Sequence, residues 1–306
     1  MKVAICITTF RRPDGLKRLL EGLDTQVFTR GPVPDVTVVV IDNDAERPLQ
    51  DSHPTFKLWS QLAIDYRVEA KRGLAHARNA ALAAVDASYD VLAFIDDDEW
   101  PEPQWLDALL AMHQASGAMV IQGPVKPAFS SPPKPWMQAI GLYEVGPFED
   151  GAALDWGASG NCLIDKKKLD ACGLVFDTSF NHSGGEDSDL FARLLRRGER
   201  IVAARDAVAY ETVPPERMQV AWAMRRSYRL GHTLGRLSLS RAGLAAPGMR
   251  AVKALGRLGQ GVCQLVAGIA SPTMAVKGLA NVAWAAGTLA AFARMEVTHY
   301  KPPAKI

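Results

Sequence analysis

One stretch of the sequence decides the fold: Val91-Leu92-Ala93-Phe94-Ile95-Asp96-Asp97-Asp98-Glu99. An apolar run typical of a buried strand leads directly into consecutive acids. In open α/β sheets, ligands bind beyond the carboxyl ends of the strands, so this pattern points the acids at a binding crevice. Adjacent like charges are unfavourable unless a positive group neutralises them, and carboxylate oxygens suit Mg²⁺ or Mn²⁺ bound to phosphates. The alternative is an acidic turn exposed to water.

Two further predicted strands also end in polar residues. Residues 3–8 lead into Thr8-Thr9-Phe10-Arg11, and residues 36–41 lead into Asp42-Asn43-Asp44. Taken singly, each ending has an ordinary explanation as a turn. Taken together with the acids after residue 95, the three strand ends predict a nucleotide site.

The first half of the chain alternates β-branched runs with stretches of helical periodicity, which predicts an α/β fold with a largely parallel, mixed sheet and helices on both faces. Pro103 is expected in the first turn of a helix. The Pro- and Ser-rich run 128–135 predicts a boundary, so we divide the chain into 1–127, 128–215 and a helical appendage, 216–306. The predicted strands are 3–8, 36–41, 64–68, 91–95, 118–125, 154–158, 161–164, 201–203 and 207–210, and the predicted helices are 14–22, 74–85, 103–116 and 187–197.

Charge is distributed very unevenly along the chain. Residues 217–306 contain 13 Lys or Arg and one acid, Glu296, although the formal net charge of the whole chain is only +2. This segment lacks the interleaved aromatic residues and motifs of nucleic-acid-binding proteins, so an anionic membrane surface is the expected partner and nucleic acid is not. The four cysteines have no C-x-x-C spacing, which favours a reduced, cytoplasmic protein.

The motifs resemble those of family 2 glycosyltransferases and, within that family, bacterial exopolysaccharide glucosyltransferases of the succinoglycan type. The resemblance implies a GT-A fold, with 1–127 as the nucleotide-sugar half and 128–215 as the acceptor half. The motifs that carry it are Thr9-Phe10-Arg11-Arg12, Gly73-Leu74-Ala75-His76-Ala77-Arg78-Asn79, Asp96-Asp97-Asp98, Gly160-Asn161-Cys162-Leu163-Ile164 and Glu186-Asp187-Ser188-Asp189-Leu190.

The resemblance also implies roles for single residues. Asp42 would accept a hydrogen bond from a uracil ring, Arg78 would supply positive charge near the base or the diphosphate, and Asp96 would hold the ribose. The metal, Mg²⁺ or Mn²⁺, would be bound by Asp98 and by Glu211, which stands where relatives often have histidine; the alternative is that this position supplies no ligand. The implied donor-binding residues are Thr9, Arg11, Asp42, Arg78, Asp96 and Asp97.

Asp187 is the candidate general base, because an acceptor hydroxyl becomes a good nucleophile only when a positioned carboxylate takes its proton. The alternative is that Asp187 or Ser188 only caps a helix. One carboxylate without a second as nucleophile implies inversion at the anomeric carbon, and the absence of a Q-x-x-R-W pattern implies a single addition. The expected substrates are a UDP-sugar and a lipid-linked saccharide.

Two other functions remain open at this point. A nucleotidyltransferase would use a similar sheet, but 8–13 lacks its Gly-rich phosphate loop, and a non-catalytic membrane scaffold would bind nucleotide sugars without transferring them. For 244–306 we expect peripheral attachment to the inner face of the plasma membrane, since a helix there would separate an apolar face from a basic one. The alternatives are a helix packed on the protein's own surface and a hairpin inserted through 262–293.

Overall fold

The computed structural model describes residues 1–181, 183–240 and 247–295. Predictions made for His182 and for 241–246 and 296–306 lie outside the described residues. The chain forms two compact units, with unit 1 comprising Met1–Lys126, Val145–Asn181 and Glu186–Glu211, and unit 2 comprising Pro127–Glu144, His182–Gly185 and Thr212–Ile306. The division into 1–127, 128–215 and 216–306 stays a prediction about functional segments.

Unit 1 is built on an eight-stranded sheet in the order β3-β2-β1-β4-β9-β6-β10-β8. The four strands β1 to β4 are mutually parallel where they pair, whereas β9 is antiparallel to both β4 and β6. The predicted mixed and largely parallel sheet is therefore confirmed. Its strands are β1 (Lys2–Thr9), β2 (Asp35–Asp42), β3 (Ala63–Val68), β4 (Val91–Phe94), β6 (Val120–Gln122), β8 (Ala153–Leu154), β9 (Cys162–Asp165) and β10 (Ile201–Ala203).

Helices cover both faces of this sheet. Alternate residues of β1 enter opposite cores, because successive side chains of a strand point to opposite faces. Val3, Ile5 and Ile7 pack with α1 and α4, while Ala4 and Cys6 pack with α3 and α7. The helices of unit 1 are α1 (Pro13–Asp24), α2 (Leu49–Ser52), α3 (Leu74–Ala84), α4 (Trp105–Ser116), α6 (Lys166–Cys172) and α7 (Glu186–Arg196).

Three local predictions were wrong. The strand predicted over 118–125 is interrupted at Gly123, where a side chain would strike the carbonyl of Ala207, and the chain continues in a second sheet of order β5-β11-β7. Pro103 precedes α4 instead of entering its first turn, and its carbonyl accepts a hydrogen bond from the backbone N–H of Val27. The strand predicted over 154–158 is reduced to β8. The second sheet consists of β5 (Glu99–Pro101), β7 (Val125–Phe129) and β11 (Ala209–Val213).

Unit 2 is mainly helical. Its helices are α5 (Pro135–Ile140), α8 (Val220–Leu239), α9 (Pro247–Ala267) and α10 (Pro272–Phe292), and α10 packs along both α8 and α9. Small residues permit this close packing, since a Cβ added at Gly287 would lie 2.0 Å from the carbonyl oxygen of Tyr228. By length and composition α10 is the one described helix that could cross a membrane, and half of its apolar window is buried by protein.

Candidate active site

The three predicted strand ends meet at one edge of the sheet. In the register of β1 with β2, Thr9 lies opposite Asp42, and Cys6 lies opposite Phe94 of β4. The hydroxyl of Thr9 donates a hydrogen bond of 2.8 Å to Asp97. Because β9 runs antiparallel to β4, its amino-terminal end, preceded by Gly160, lies at the same edge.

The acidic turn after β4 is held in place by a basic side chain and a glycine. Arg12 Nη1 lies 2.8 Å from a carboxylate oxygen of Asp97 and 3.0 Å from one of Asp98. Gly15 in α1 packs beneath the turn, where an added Cβ would lie only 2.4 Å from the carbonyl oxygen of Asp97. We assigned no role to Arg12 from the sequence, although its place in the first motif was a signal.

Burial raises the pKa of two carboxyl groups of this turn, Asp97 and Glu99. Burial raises the pKa of Asp97 to about 6, although Arg12 opposes the rise. Burial also raises the pKa of Glu99 well above its usual value, and the nearby carboxylates of Asp96, Glu211 and Asp98 raise it further. Glu211 is near because it lies opposite Glu99 in the register of β11 with β5. In the structure, Asp98 and Glu211 therefore both lie near the buried Glu99.

The predicted metal ligands fit a hard divalent cation by their chemistry, because both offer carboxylate oxygens. Within the residues that the structure describes, no group of three or more His, Cys, Asp or Glu side chains forms a metal-holding cluster. Mg²⁺ is commonly bound by one or two carboxylates together with substrate phosphates. The donor set at Asp98 and Glu211 is thus suited to an ion whose coordination is completed by a diphosphate and water.

Arg78 of α3 forms ion pairs with the turn after β4 and with α7. Its side chain is 4% exposed, and it pairs with Glu186 at the start of α7 and with Asp96 after β4, the latter at 3.3 Å. Burial disfavours its charge, but Glu186, Asp96 and Asp187 outweigh burial and keep the pKa of Arg78 raised. The predicted contact of Arg78 with the donor stays a prediction, whereas its contacts in the structure position two acids.

Asp187 lies in the first turn of α7, one residue after the helix begins at Glu186. The alternative that Asp187 caps this helix is therefore wrong. Among the described residues, its carboxylate accepts hydrogen bonds from the adjacent Ser188 alone, at 2.6 Å from the backbone N–H. The side chain is half-buried and lies near enough to Asp96 and Glu186 to raise the pKa of each. Asp187 thus belongs to the same acidic site as Asp96.

Asp42 and Arg11 make structural contacts at the other end of the site. The Asp42 carboxylate is buried and accepts hydrogen bonds from the Tyr66 hydroxyl and the Leu49 N–H, both at 2.7 Å, and from the N–H of Asp44. Arg11 pairs with Asp44 and has a φ of 56°, a conformation that is uncommon for any residue except glycine. The predicted contact of Asp42 with uracil stays a prediction.

The sequence profile of glycosyl transferase family 2 matches residues 4–173, which is more than half of the chain. The chain belongs to glycosyl transferase family 2. The matched residues include the acids after β4 and the motif of α3 and end before Asp187. The chain is thus a glycosyltransferase, and the alternatives of a nucleotidyltransferase and a non-catalytic scaffold are not supported.

Two curated relatives show which members of family 2 this chain resembles. The succinoglycan biosynthesis protein ExoM of Rhizobium meliloti is 29% identical over 242 residues, covering 79% of this chain and 77% of ExoM. The hyaluronan synthase of Pasteurella multocida is 28% identical over 249 residues, covering 70% of this chain but only 25% of the synthase. The predicted resemblance to exopolysaccharide-type members of the family is confirmed.

Solved structures support the fold. The crystal structure of S. aureus TarS 1-349 in complex with UDP has a TM-score of 0.53 at 14% identity, covering 99% of this chain and 95% of that one. TarS 1-349 in complex with UDP-GlcNAc has a TM-score of 0.50 at 13% identity, covering 96% and 92% of the two chains. At this identity the likeness shows the GT-A-type fold alone.

Sequence reasoning missed a buried amide that organises the site. Asn161 has a φ of 51°, its Nδ2 donates to the carbonyls of Pro124 and Ala207 at 2.7 Å, and its Oδ1 accepts from the Trp105 indole at 2.6 Å. It thus joins three segments at the edge that carries the acids. Its place in the Gly160-Asn161 motif was a signal, but the partners come from distant segments that periodicity cannot pair.

Proposed function

We propose that the chain is an inverting, non-processive enzyme that moves a sugar from a UDP-sugar to a hydroxyl of a lipid-linked saccharide in bacterial surface or exopolysaccharide synthesis. The observation that carries this proposal is the half-buried Asp187 beside Asp96, in the first turn of a helix whose adjacent Glu186 is fixed by Arg78. A carboxylate held there, whose hydrogen bonds from the described residues come from the adjacent Ser188, is available to accept a proton.

In the proposed reaction, Asp187 takes the proton of the acceptor hydroxyl as that oxygen attacks the anomeric carbon. The bond from that carbon to the UDP oxygen breaks, and the electron pair leaves with UDP. Attack from the side opposite to the leaving group inverts the anomeric centre, so an α-linked donor gives a β-linked product. The Arg78 pairs hold Glu186 and Asp96 in place while the proton moves.

Asp98 and Glu211 would hold Mg²⁺ or Mn²⁺, which supplies charge stabilisation for the departing diphosphate. Thr9, Asp97 and Arg12 keep the turn that carries Asp98 in position through their mutual hydrogen bonds. Asp96 is part-exposed at this edge, as a ribose contact requires. A lipid-linked acceptor places the enzyme at the cytoplasmic face of the plasma membrane, which is where we propose that it acts.

The test is a transfer assay with a panel of UDP-sugars and lipid-linked acceptors, with Mg²⁺, Mn²⁺ or excess EDTA. We expect transfer that needs the metal and a product whose anomeric configuration, read by NMR coupling constants, is inverted. Asp98→Ala should abolish transfer while circular dichroism stays unchanged. A retained anomeric configuration would contradict the inverting mechanism. Full activity in excess EDTA would contradict the metal requirement, and transfer from GDP-sugars alone would contradict UDP as the nucleotide of the donor.

A further inference from the structure

Four large apolar residues of helix α9 are exposed. Val252, Leu255, Val262 and Val266 are 64%, 58%, 52% and 65% exposed. At ~100° per residue these four positions fall within about 80° of one another on the helix surface, and we call them the α9 stripe. Large aliphatic side chains rarely gather at exposed positions without a partner.

The side of α9 that packs against α10 includes two small residues and Leu265, which lies close to Gly278 of α10. Ala254 and Gly261 are buried, and a Cβ at Gly261 would lie 2.9 Å from the carbonyl oxygen of Gly278 in α10. These two positions lie about 80° to 180° from the members of the α9 stripe around the helix. The expected alternative, a helix packed on the protein's own surface, therefore accounts for the side of α9 that faces α10 but leaves the α9 stripe uncovered by described residues.

The third sector of α9 is cationic. Arg250, Lys253 and Arg257 lie between the Met249 position and the buried side, and Arg257 stacks on the Trp284 ring at 4.2 Å. Burial lowers the pKa of Arg257, and the charge of Arg250 lowers it further. Helices α8, α9 and α10 together contain eight Lys or Arg and no Asp or Glu. These cations therefore find no acid within the three helices.

We propose that the α9 stripe docks the protein peripherally onto an anionic lipid surface, with the four aliphatic side chains among the acyl chains and the cations of α9 at the level of the headgroups. Aliphatic burial and attraction to anionic lipid are the two contributions that bind interfacial helices, and both are present here. A second copy fits less well, because identical cationic helices without acids would repel each other.

Helix α10 takes no part in this docking. It is the more apolar helix, yet it lies packed along α8 and α9, and its Trp284, Ala285 and Ala291 are buried. Inserting it would require unpacking both neighbours. The docking that we propose is therefore shallow, within the interface, and leaves the three-helix packing intact.

The first test is co-sedimentation of the full chain with vesicles of phosphatidylglycerol and phosphatidylcholine or of phosphatidylcholine alone. We expect binding that needs phosphatidylglycerol and weakens as NaCl is raised, because salt screens charges beyond about 10 Å at 0.1 M. Val262→Gln with Val266→Gln should weaken binding about tenfold or more. Its matched control is Val33→Gln with Leu58→Gln, which removes two aliphatic side chains that are 75% and 81% exposed in unit 1.

The second test measures depth through Cys263, the exposed cysteine of α9. Cys6 and Cys162 are buried, so changing the half-buried Cys172 to Ser leaves Cys263 as the accessible thiol among the four cysteines. The emission of an environment-sensitive fluorophore attached to Cys263 should shift to the blue on anionic vesicles. It should also be quenched by lipid-borne quenchers placed at a shallow depth. Quenching from the bilayer centre, with binding that ignores lipid charge and salt, would overturn interfacial docking in favour of insertion. Equal weakening of vesicle binding by both double variants would contradict the role of the α9 stripe in docking. Absence of lipid binding would overturn the proposal, and light scattering would then show whether a second copy covers α9.

Discussion

The acidic edge of unit 1 and the helices of unit 2 handle charge in opposite ways. At the edge, two buried acids have specific partners: Asp97 has Thr9 and Arg12, and Glu186 has Arg78. Helices α8 to α10 have eight cations and no acid, so they offer no such internal pairs among themselves. Paired charge fixes the positions of side chains inside a protein, whereas charge of one sign on a surface serves a partner of the other sign.

The largest effect is expected where the acidic edge meets the acceptor. Asp187→Asn should keep the fold and the affinity for UDP but lower turnover by ~10²–10⁴-fold, because the amide cannot take the proton. The measurement is kcat with a lipid-linked acceptor, together with calorimetry of UDP. Asp35→Asn, an exposed carboxylate in β2, is the matched control and should be neutral. Near-normal turnover of Asp187→Asn would move the base to another carboxylate.

Breaking a pair at the edge should cost far more than breaking one at the surface. Arg78→Met should lower the free energy of unfolding by ~3–5 kcal/mol, because it leaves Glu186 buried without its partner. Arg67→Met removes a pair in which both side chains are more than a third exposed, and should cost less than about 1 kcal/mol. Changing Glu186 to Met as well should recover much of the first loss in chemical denaturation. Similar losses of unfolding free energy in Arg78→Met and Arg67→Met would contradict the expected difference between buried and exposed ion pairs.

In unit 2 a close steric contact limits the packing of α8 against α10. Gly287→Ala should destabilise the chain by ~1–3 kcal/mol, because the new Cβ would meet the Tyr228 carbonyl oxygen. Gly256→Ala in α9 meets nothing within 4 Å and should stabilise the helix by ~0.5–1 kcal/mol. Thermal unfolding followed by circular dichroism compares the two. A neutral Gly287→Ala would show that α8 and α10 pack more loosely than described.

The smallest expected effect is a slope of stability with pH. Burial raises the pKa of Glu186 to about 7, with Arg78 lowering it and Asp187 raising it. A carboxyl with a higher pKa in the folded state binds its proton more tightly there, so stability should increase as pH falls from about 8 toward 5. The slope is at most ~1.4 kcal/mol per pH unit. In Glu186→Gln this part of the slope should vanish, and an unchanged slope would assign it to other groups.

The sheet could be predicted from the sequence because buried parallel strands have short apolar runs. The bounds of β1, β2, β4 and β10 lie within one or two residues of the predicted ones. The sequence predicted the acids at the strand ends for the same reason. It could not predict the partners of these acids, because the pairs of Arg12 and Arg78 join residues 85 and 108 positions apart. Likewise, the helical wheel predicted the faces of α9 but not that the small-residue side packs inward.

The order of the helices along the chain bears on how α10 is made. Both helices that enclose it, α8 and α9, precede it in the sequence, so they leave the ribosome before it does. Since chains begin to fold during synthesis, the most apolar helix of unit 2 emerges beside neighbours that are ready to cover it. If α9 followed α10 instead, an uncovered apolar segment of 21 residues would meet the insertion machinery first. We therefore expect this helix order to favour the packing of α10 against its neighbours over its insertion as a spanning segment.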